Sequence, residues 1–246
     1  MSAQIGNAIS QEPATDVWSF FDHIYCISLK ERPDRRAQAA AQFAHVGLAD
    51  RMTYMCVDRH ATDSEQGIYA SHMACIRKGL ADGACHILIF EDDVIFERFS
   101  PERLDAALSF LRRQPDWQIL FLGCLVSKSR ATESSAVRKV AYRCLAHAYA
   151  LNRSCAEKLV QKPWSGTPFD VILKNLNDGL FACYPSFAFQ SNAASDNLRL
   201  RKLDQFRRLC GGLRRIQKLN EWYNCHKAVL IAVHLACLGV LLWMLL

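Results

Sequence analysis

HILIFEDD, residues 86–93, is an apolar run that ends in three adjacent carboxylates. A continuous apolar stretch this short, without polar alternation, suits a strand buried on both faces, and such strands belong to sheets covered by helices on each side. The acids stand where that strand would emerge. Upstream, DHIYCISL (22–29) is a second run of strand formers, followed by a charged turn, Lys30 to Arg36, and an alanine-rich helical stretch ending near Gly47. Pro33 fits the first turn of that helix. The pattern continues with a strand over 52–57 and a helix over roughly 69–80. Downstream, Ser100-Pro101-Glu102 opens an amphipathic helix with Leu104, Ala107, Leu108 and Leu111 on one face. Strands follow at 118–122 and 146–151, then a helix at 154–160. This alternation predicts an α/β domain with a mainly parallel sheet, whose ligands gather at the carboxyl ends of the strands. The acidic cluster and the arginine turn both follow strands, so both face one crevice in this reading.

The chain has 246 residues, 51% of them hydrophobic and 22% charged, and its formal charge is +6. That charge is unevenly placed. Nine of the 30 basic residues but only two of the 24 acidic ones lie from residue 199 on, leaving the preceding part nearly neutral. A nucleic-acid binder is therefore not the reading. The 11 cysteines are odd in number, scattered through apolar stretches, and without a Cys-x-x-Cys pair. They read as buried free thiols of a reducing compartment rather than as a disulfide framework. No secretory signal is visible over residues 1–19.

Residues 228–246, AVLIAVHLACLGVLLWMLL, are 19 apolar residues without a formal charge. A helix of that length spans about 28 Å, close to the hydrocarbon core of a bilayer. With nine basic residues before it, the stretch reads as a single-pass C-terminal anchor with the globular domain facing the cytoplasm. The organisation expected is an extension over 1–21, a globular domain over 22–198, a basic juxtamembrane segment over 199–227 and a transmembrane helix over 228–246. A packed helix or an oligomer seam is the alternative for the last segment.

Crowded carboxylates need a counter-charge, and a hard cation supplies it: Mg²⁺ and Mn²⁺ prefer carboxylate oxygen and commonly bridge to phosphates. In an extended strand Glu91 and Asp93 point to one side, with Asp92 turned away or holding the loop. Arg32, Arg35 and Arg36 are candidates to clamp a phosphate through paired hydrogen bonds. A phosphoaspartyl hydrolase is discounted, because its Asp-x-Asp-x-Thr arrangement is missing.

Several segments, in order, resemble glycosyltransferase family 25, the group of lipopolysaccharide-glycan and collagen galactosyltransferases. IYCISLKERPDRR resembles that family's Ile-x-x-Ile-Asn-Leu-x-x-x-x-Asp-Arg-Arg opening at Ile27, Leu29, Asp34, Arg35 and Arg36. GIYASHMACIRKGLADGACHILIFEDDVIF is similar to its Gly-x-x-x-Ser-His segment and Glu-Asp-Asp-Val strand. AHAYALNRSCAEKLV, TPFDVILKN and CYPSFAFQSNAASDN resemble later segments. Ser28 stands where the family has Asn, and Asp58 is followed by Arg59-His60 rather than Gly. The likeness covers about residues 22–197. It implies a GT-A type Rossmann-like domain, a nucleotide-sugar donor such as a UDP-sugar, a divalent metal and inversion at the anomeric carbon. It also implies that Glu91, Asp92 and Asp93 hold metal and diphosphate, and that Asp58, Ser71 and His72 lie by the donor. An inverting displacement needs a carboxylate to take the acceptor's proton. Asp170 is the first candidate, with a helix N-cap as its other reading, and Asp196 the second. Gln190 and Ser195 are candidates to hydrogen-bond donor or acceptor. The function implied is transfer of galactose or another hexose to a glycan or glycolipid acceptor such as lipopolysaccharide. The alternatives are a catalytically silent, membrane-anchored glycan- or nucleotide-binding protein of the same fold, and a structural protein that self-associates through its C-terminal helix.

Overall fold

A computed structural model describes residues 16–191, 207, 209 and 211–245. The strands are β1 (His23–Leu29), β2 (Met52–Val57), β3 (His86–Glu91), β4 (Val94–Phe96), β5 (Ile119–Phe121), β6 (Leu125–Ala131), β7 (Val137–Cys144), β8 (Ala148–Asn152), β9 (Leu180–Cys183) and β10 (Ala188–Gln190). The helices are α1 (Pro33–His45), α2 (Ser64–Ala81), α3 (Pro101–Leu111), α4 (Arg153–Val160), α5 (Phe169–Lys174) and α6 (Gly212–Leu245). Eight strands form one sheet in the order β2-β1-β3-β8-β5-β9-β7-β6, and β4 pairs with β10 in a separate ribbon.

The sheet is mixed rather than mainly parallel. β2, β1 and β3 run parallel, as do β5 and β9, but β8 is antiparallel to both of its neighbours and β7 to both of its own. Within the large sheet, the alternation of strand and helix along the chain holds only as far as β5. Beyond it β6 and β7 follow as a hairpin without a crossover helix, and a hairpin can only be antiparallel.

Both faces of the sheet are covered, and the side chains sort by the two-residue period of a strand. Leu88, Phe90, Ala148 and Ala150 face one way, onto Ala39 and Phe43 of α1 and Leu104, Ala107, Leu108 and Leu111 of α3. Ile87, Ile89, Tyr149 and Leu151 face the other, onto Tyr69, Met73 and Ile76 of α2, Leu159 of α4 and Phe169 of α5. The helices begin where their caps dictate. Pro33 stands in the first turn of α1, the Ser100 hydroxyl accepts from Arg103 N (3.2 Å), and the Asn152 side chain accepts from Cys155 N (2.8 Å). α2 starts at Ser64, earlier than its apolar periodicity indicates, because the Asp63 carboxylate accepts from Glu65 N (3.0 Å) and Gln66 N (3.5 Å). All the described cysteines are free.

The C-terminal anchor is overturned. Among the described residues no helix is long and apolar enough to cross a membrane. The apolar terminus is not a segment of its own but the continuation of α6, whose first half is polar and docked on the domain. Gln217 and Asn224 are buried there. Gln217 Nε2 donates to Ala188 O (2.9 Å), and the Asn220 amide donates to Val126 O (3.0 Å) while accepting from Val126 N (2.9 Å). Two basic residues of this stretch are also engaged: Arg214 and Lys218 both pair with Glu97, leaving less charge for a lipid surface. The cytoplasm-facing placement of the domain rested on that anchor and falls with it.

Candidate active site

A cavity of about 470 Å³ opens at the carboxyl ends of β1, β2 and β3. On one side lie Val57 to His60, following β2, and the first turns of α2; on the other lie Cys144 to His147, the start of α5, and Gln190 and Ser191. The acidic turn stands between them. β3 is pinned there by its neighbours, since Glu91 N donates to His147 O (2.9 Å) and Asp92 N to Ile27 O (3.1 Å).

The three acids divide their tasks. Glu91 and Asp93 line the cavity, whereas Asp92 does not. Asp92 takes an ion pair from Arg35 at 2.7 Å, and the same guanidinium reaches Asp93 at 3.0 Å. Gln190 Nε2 donates to the Asp93 Oδ2 atom (2.9 Å), tying β10 to the turn. Among the described residues the other oxygen, Asp93 Oδ1, is buried without a hydrogen-bond partner. Burial pushes all three carboxyls up, Glu91 from its ordinary 4.5 to about 7. For Glu91 the nearby His147 and Arg35 pull the other way and Asp170 adds to the rise.

His72 sits beneath Glu91. Its ring stacks on Phe169 with centroids 4.2 Å apart, Nδ1 lies 2.9 Å from the Tyr149 hydroxyl, and Nε2 lies 3.4 Å from Glu91 Oε1. Burial pulls His72 down to about 4, so it is neutral at ordinary pH. Burial holds the Tyr149 phenol well above its usual range. With the Tyr149 hydroxyl donating a hydrogen bond to Nδ1, Nε2–H is left as the donor to Glu91, so the contact is a hydrogen bond from a neutral imidazole rather than an ion pair.

Asp170 is not an N-cap. α5 begins at Phe169 with Pro168 as its cap, which puts Asp170 inside the first turn. Its carboxylate instead reaches across to accept from the Tyr142 hydroxyl and from Leu145 N (3.3 Å), and it lines the cavity. Burial keeps Tyr142 protonated far above the usual phenol range, so it stays a donor.

The remaining candidates fall in three groups. Asp58 and Ser71 line the cavity. Asp58 is exposed and paired with Lys30 (2.7 Å), while the Ser71 hydroxyl donates to Gly67 O (2.7 Å) within its own helix. Arg32 and Arg36 are engaged elsewhere, Arg32 with Asp34 (2.9 Å) and Arg36 with the carbonyl oxygens of Leu29 and Lys30. Of the arginines of that turn, Arg35 alone lines the cavity. Ser195 and Asp196 lie outside the described residues.

Sequence reasoning missed His147, which is fully buried, lines the cavity and has no hydrogen-bond partner on either ring nitrogen among the described residues. The signal was a polar ring at the head of the otherwise apolar AHAYAL stretch. Tyr142 and Tyr149 were missed too, since nothing in spacing separates a tyrosine that orients a carboxylate or imidazole from one that fills core.

The residues present fit a hard divalent cation. Two carboxylates of the turn meet the cavity, Asp93 with one orphaned oxygen, and burial strains their charged forms. Among the described residues no group of three or more His, Cys, Asp or Glu encloses an ion site.

Comparison with known proteins places this chain in a family. The chain is 28% identical over 170 residues to "Inactive glycosyltransferase 25 family member 3" of Homo sapiens, a match covering 57% of this chain and 29% of that protein. It is 28% identical over 127 residues to "Glycosyltransferase 25 family member" of Aedes aegypti, covering 41% and 21%. The chain thus spans under a third of the length of these relatives. Among solved structures it is similar to a mannose-1-phosphate geranyltransferase from Thermus thermophilus (TM-score 0.42, 10% identity, 65% of this chain and 73% of that one). It is also similar to a glycosyltransferase involved in the glycosylation of the major capsid of PBCV-1 (TM-score 0.39, 9% identity, 63% and 76%). The family model "Glycosyltransferase family 25 (LPS biosynthesis protein)" matches residues 48–173, which include α2, the acidic turn, His147 and Asp170 and make up just over half of the sequence, so the chain belongs to glycosyltransferase family 25.

Proposed function

We propose that the chain transfers a hexosyl group from a nucleotide-sugar donor, a UDP-sugar, to a hydroxyl of a glycan acceptor, with inversion at the anomeric carbon. The observation that carries this reading is one cavity onto which Glu91, Asp93 and Asp170 all open, with Asp170 across from the acidic turn. Asp170 accepts the proton of the acceptor hydroxyl as that oxygen bonds to the anomeric carbon and the bond to the donor phosphate breaks. The Tyr142 hydroxyl and Leu145 N–H hold that carboxylate in one orientation, so the base arrives aimed. Glu91 and Asp93 would hold Mn²⁺ or Mg²⁺, which neutralises the departing diphosphate. Arg35 keeps Asp92 and Asp93 from repelling one another, and His72 fixes Glu91 from beneath.

A second reading is a catalytically silent binding protein, favoured by the inactive relative in the same family. The two part on Asp170. Incubating the protein with nucleotide sugars, an acceptor glycan and Mn²⁺, and following nucleoside-diphosphate release, should show acceptor-dependent turnover that Asp170→Asn lowers by orders of magnitude while donor binding stays within a few-fold. Donor binding without turnover for any acceptor tried would favour the silent protein.

A further inference from the structure

His147 is costly as it stands. Its side chain is fully buried, yet both ring nitrogens lack partners among the described residues. Buried polar atoms are nearly always satisfied, and exceptions point to a ligand or water that completes them. The residue borders the cavity, so a ligand held there lies beside it.

Its place in the sheet says which part of a ligand it meets. Reading across the strand ends, the order is β2 with Asp58, β1, β3 with Glu91, and then the start of β8 with His147. At about 4.8 Å per strand, β8 lies roughly 14 Å from β2. The acidic turn, where a diphosphate and its cation would sit, comes between. A nucleotide sugar stretched along this line with its nucleoside toward Asp58 reaches His147 with the portion beyond its phosphates.

The chemistry agrees with the position. The ring presents two nitrogens to hydrogen-bond with, and a sugar hydroxyl can both donate and accept. A phosphate offers acceptors only, and the diphosphate already has its place at the acidic turn. We propose that His147 hydrogen-bonds hydroxyls of the transferred sugar and thereby sets which hexose the cavity accepts. The inference rests on the cavity being a nucleotide-sugar site.

Calorimetry on the full chain with Mn²⁺ tests it, using UDP, UDP-glucose and UDP-galactose, the two sugars differing at a single hydroxyl. His147→Ala should leave UDP affinity within twofold of the parent and weaken the preferred UDP-sugar by about tenfold, the order of one or two lost hydrogen bonds. It should also narrow the difference between the two sugars, and His147→Gln, which keeps a donor and an acceptor, should recover part of the loss. Equal loss for UDP and the UDP-sugars would make His147 a diphosphate or metal contact, and unchanged affinities would make it a spectator; either overturns the proposal. If the substitutions prevent folding, the ring nitrogens of His147 in the ¹⁵N-labelled parent decide. They should shift on saturation with a UDP-sugar but not with UDP, and identical spectra overturn the proposal. A parent that binds none of the three ligands fails at the earlier step, because the cavity is then not a UDP-sugar site.

Discussion

Glu91→Gln should make the ligand-free protein more stable, in a pH-dependent way. Burial raises the Glu91 carboxyl from 4.5 to about 7, so between those values the folded chain holds a proton that the unfolded chain has released. Stability must then fall as pH rises through this window and stay low above it. At about 1.4 kcal/mol for each pH unit, the full rise is worth about 3 kcal/mol. The side chain keeps 27% exposure, and solvent screening trims that to about 1.5–3 kcal/mol. Glutamine keeps the shape and an oxygen to accept from His72 Nε2 but cannot ionise. Its advantage over the parent should be near zero at pH 4.5 and reach its plateau by pH 8, where about 2–4 °C per kcal/mol gives a melting point higher by roughly 5 °C. His72, pulled down to about 4, acts in the opposite sense: stability is lost as pH falls from 6.5 toward 4. That contribution is shared by both proteins and cancels in the difference. Urea unfolding at pH 5, 6.5 and 8 reads the gap directly. A gap of the same size at every pH would trace to packing, and no gap at pH 8 would mean the Glu91 carboxylate is not strained by its site.

Other outcomes follow from the same geometry. Asp93→Asn should abolish the stabilisation that Mn²⁺ plus nucleoside diphosphate gives the parent in a melting assay, and EDTA should do the same to the parent; stabilisation that survives both removes Asp93 and the cation from binding. Tyr142→Phe takes away one of the donors to Asp170 and should slow transfer about tenfold or more while leaving the donor KM within a few-fold; an unchanged kcat would show that the Leu145 N–H orients the base alone. Gly123→Ala should destabilise the fold by several kcal/mol, because the added Cβ would lie 1.8 Å from Ala188 O and push β10 away; a protein as stable as the parent would mean that β10 and α6 yield freely.

The part of the fold that sequence reveals is the part whose residues announce themselves locally. HILIF has no polar alternation and takes a central place in the sheet; Pro33 and Ser100-Pro101 open their helices at the positions their chemistry requires. β6 and β7 hold Lys128, Arg130, Arg138 and Lys139 and many half-exposed positions, so their strands resemble loop until they pair. The C-terminal helix misled through hydropathy. Its docking is made by Gln217, Asn220 and Asn224 reaching backbone atoms about 30 to nearly 100 residues away, contacts that no periodicity displays. Asp170 looked like a cap because aspartate before a helix commonly is one. Its true partners, Tyr142 and Leu145, lie in and just beyond the second strand of a hairpin the sequence did not show.

Asn220 also answers a problem of every open sheet. β6 is an outermost strand, and such a strand presents unpaired backbone groups that invite a second chain. By donating to Val126 O and accepting from Val126 N, the Asn220 amide copies one rung of an antiparallel neighbour. Where the helix no longer follows the strand, exposed Lys128 and the charge of Arg130 take over and repel a like partner. The free edge is thus sealed by a borrowed amide at one end and guarded by charge at the other. The helix that looked like an anchor doubles as a guard against fibre growth. Shortening the chain ahead of Asn220 should convert that edge into a seam for self-association.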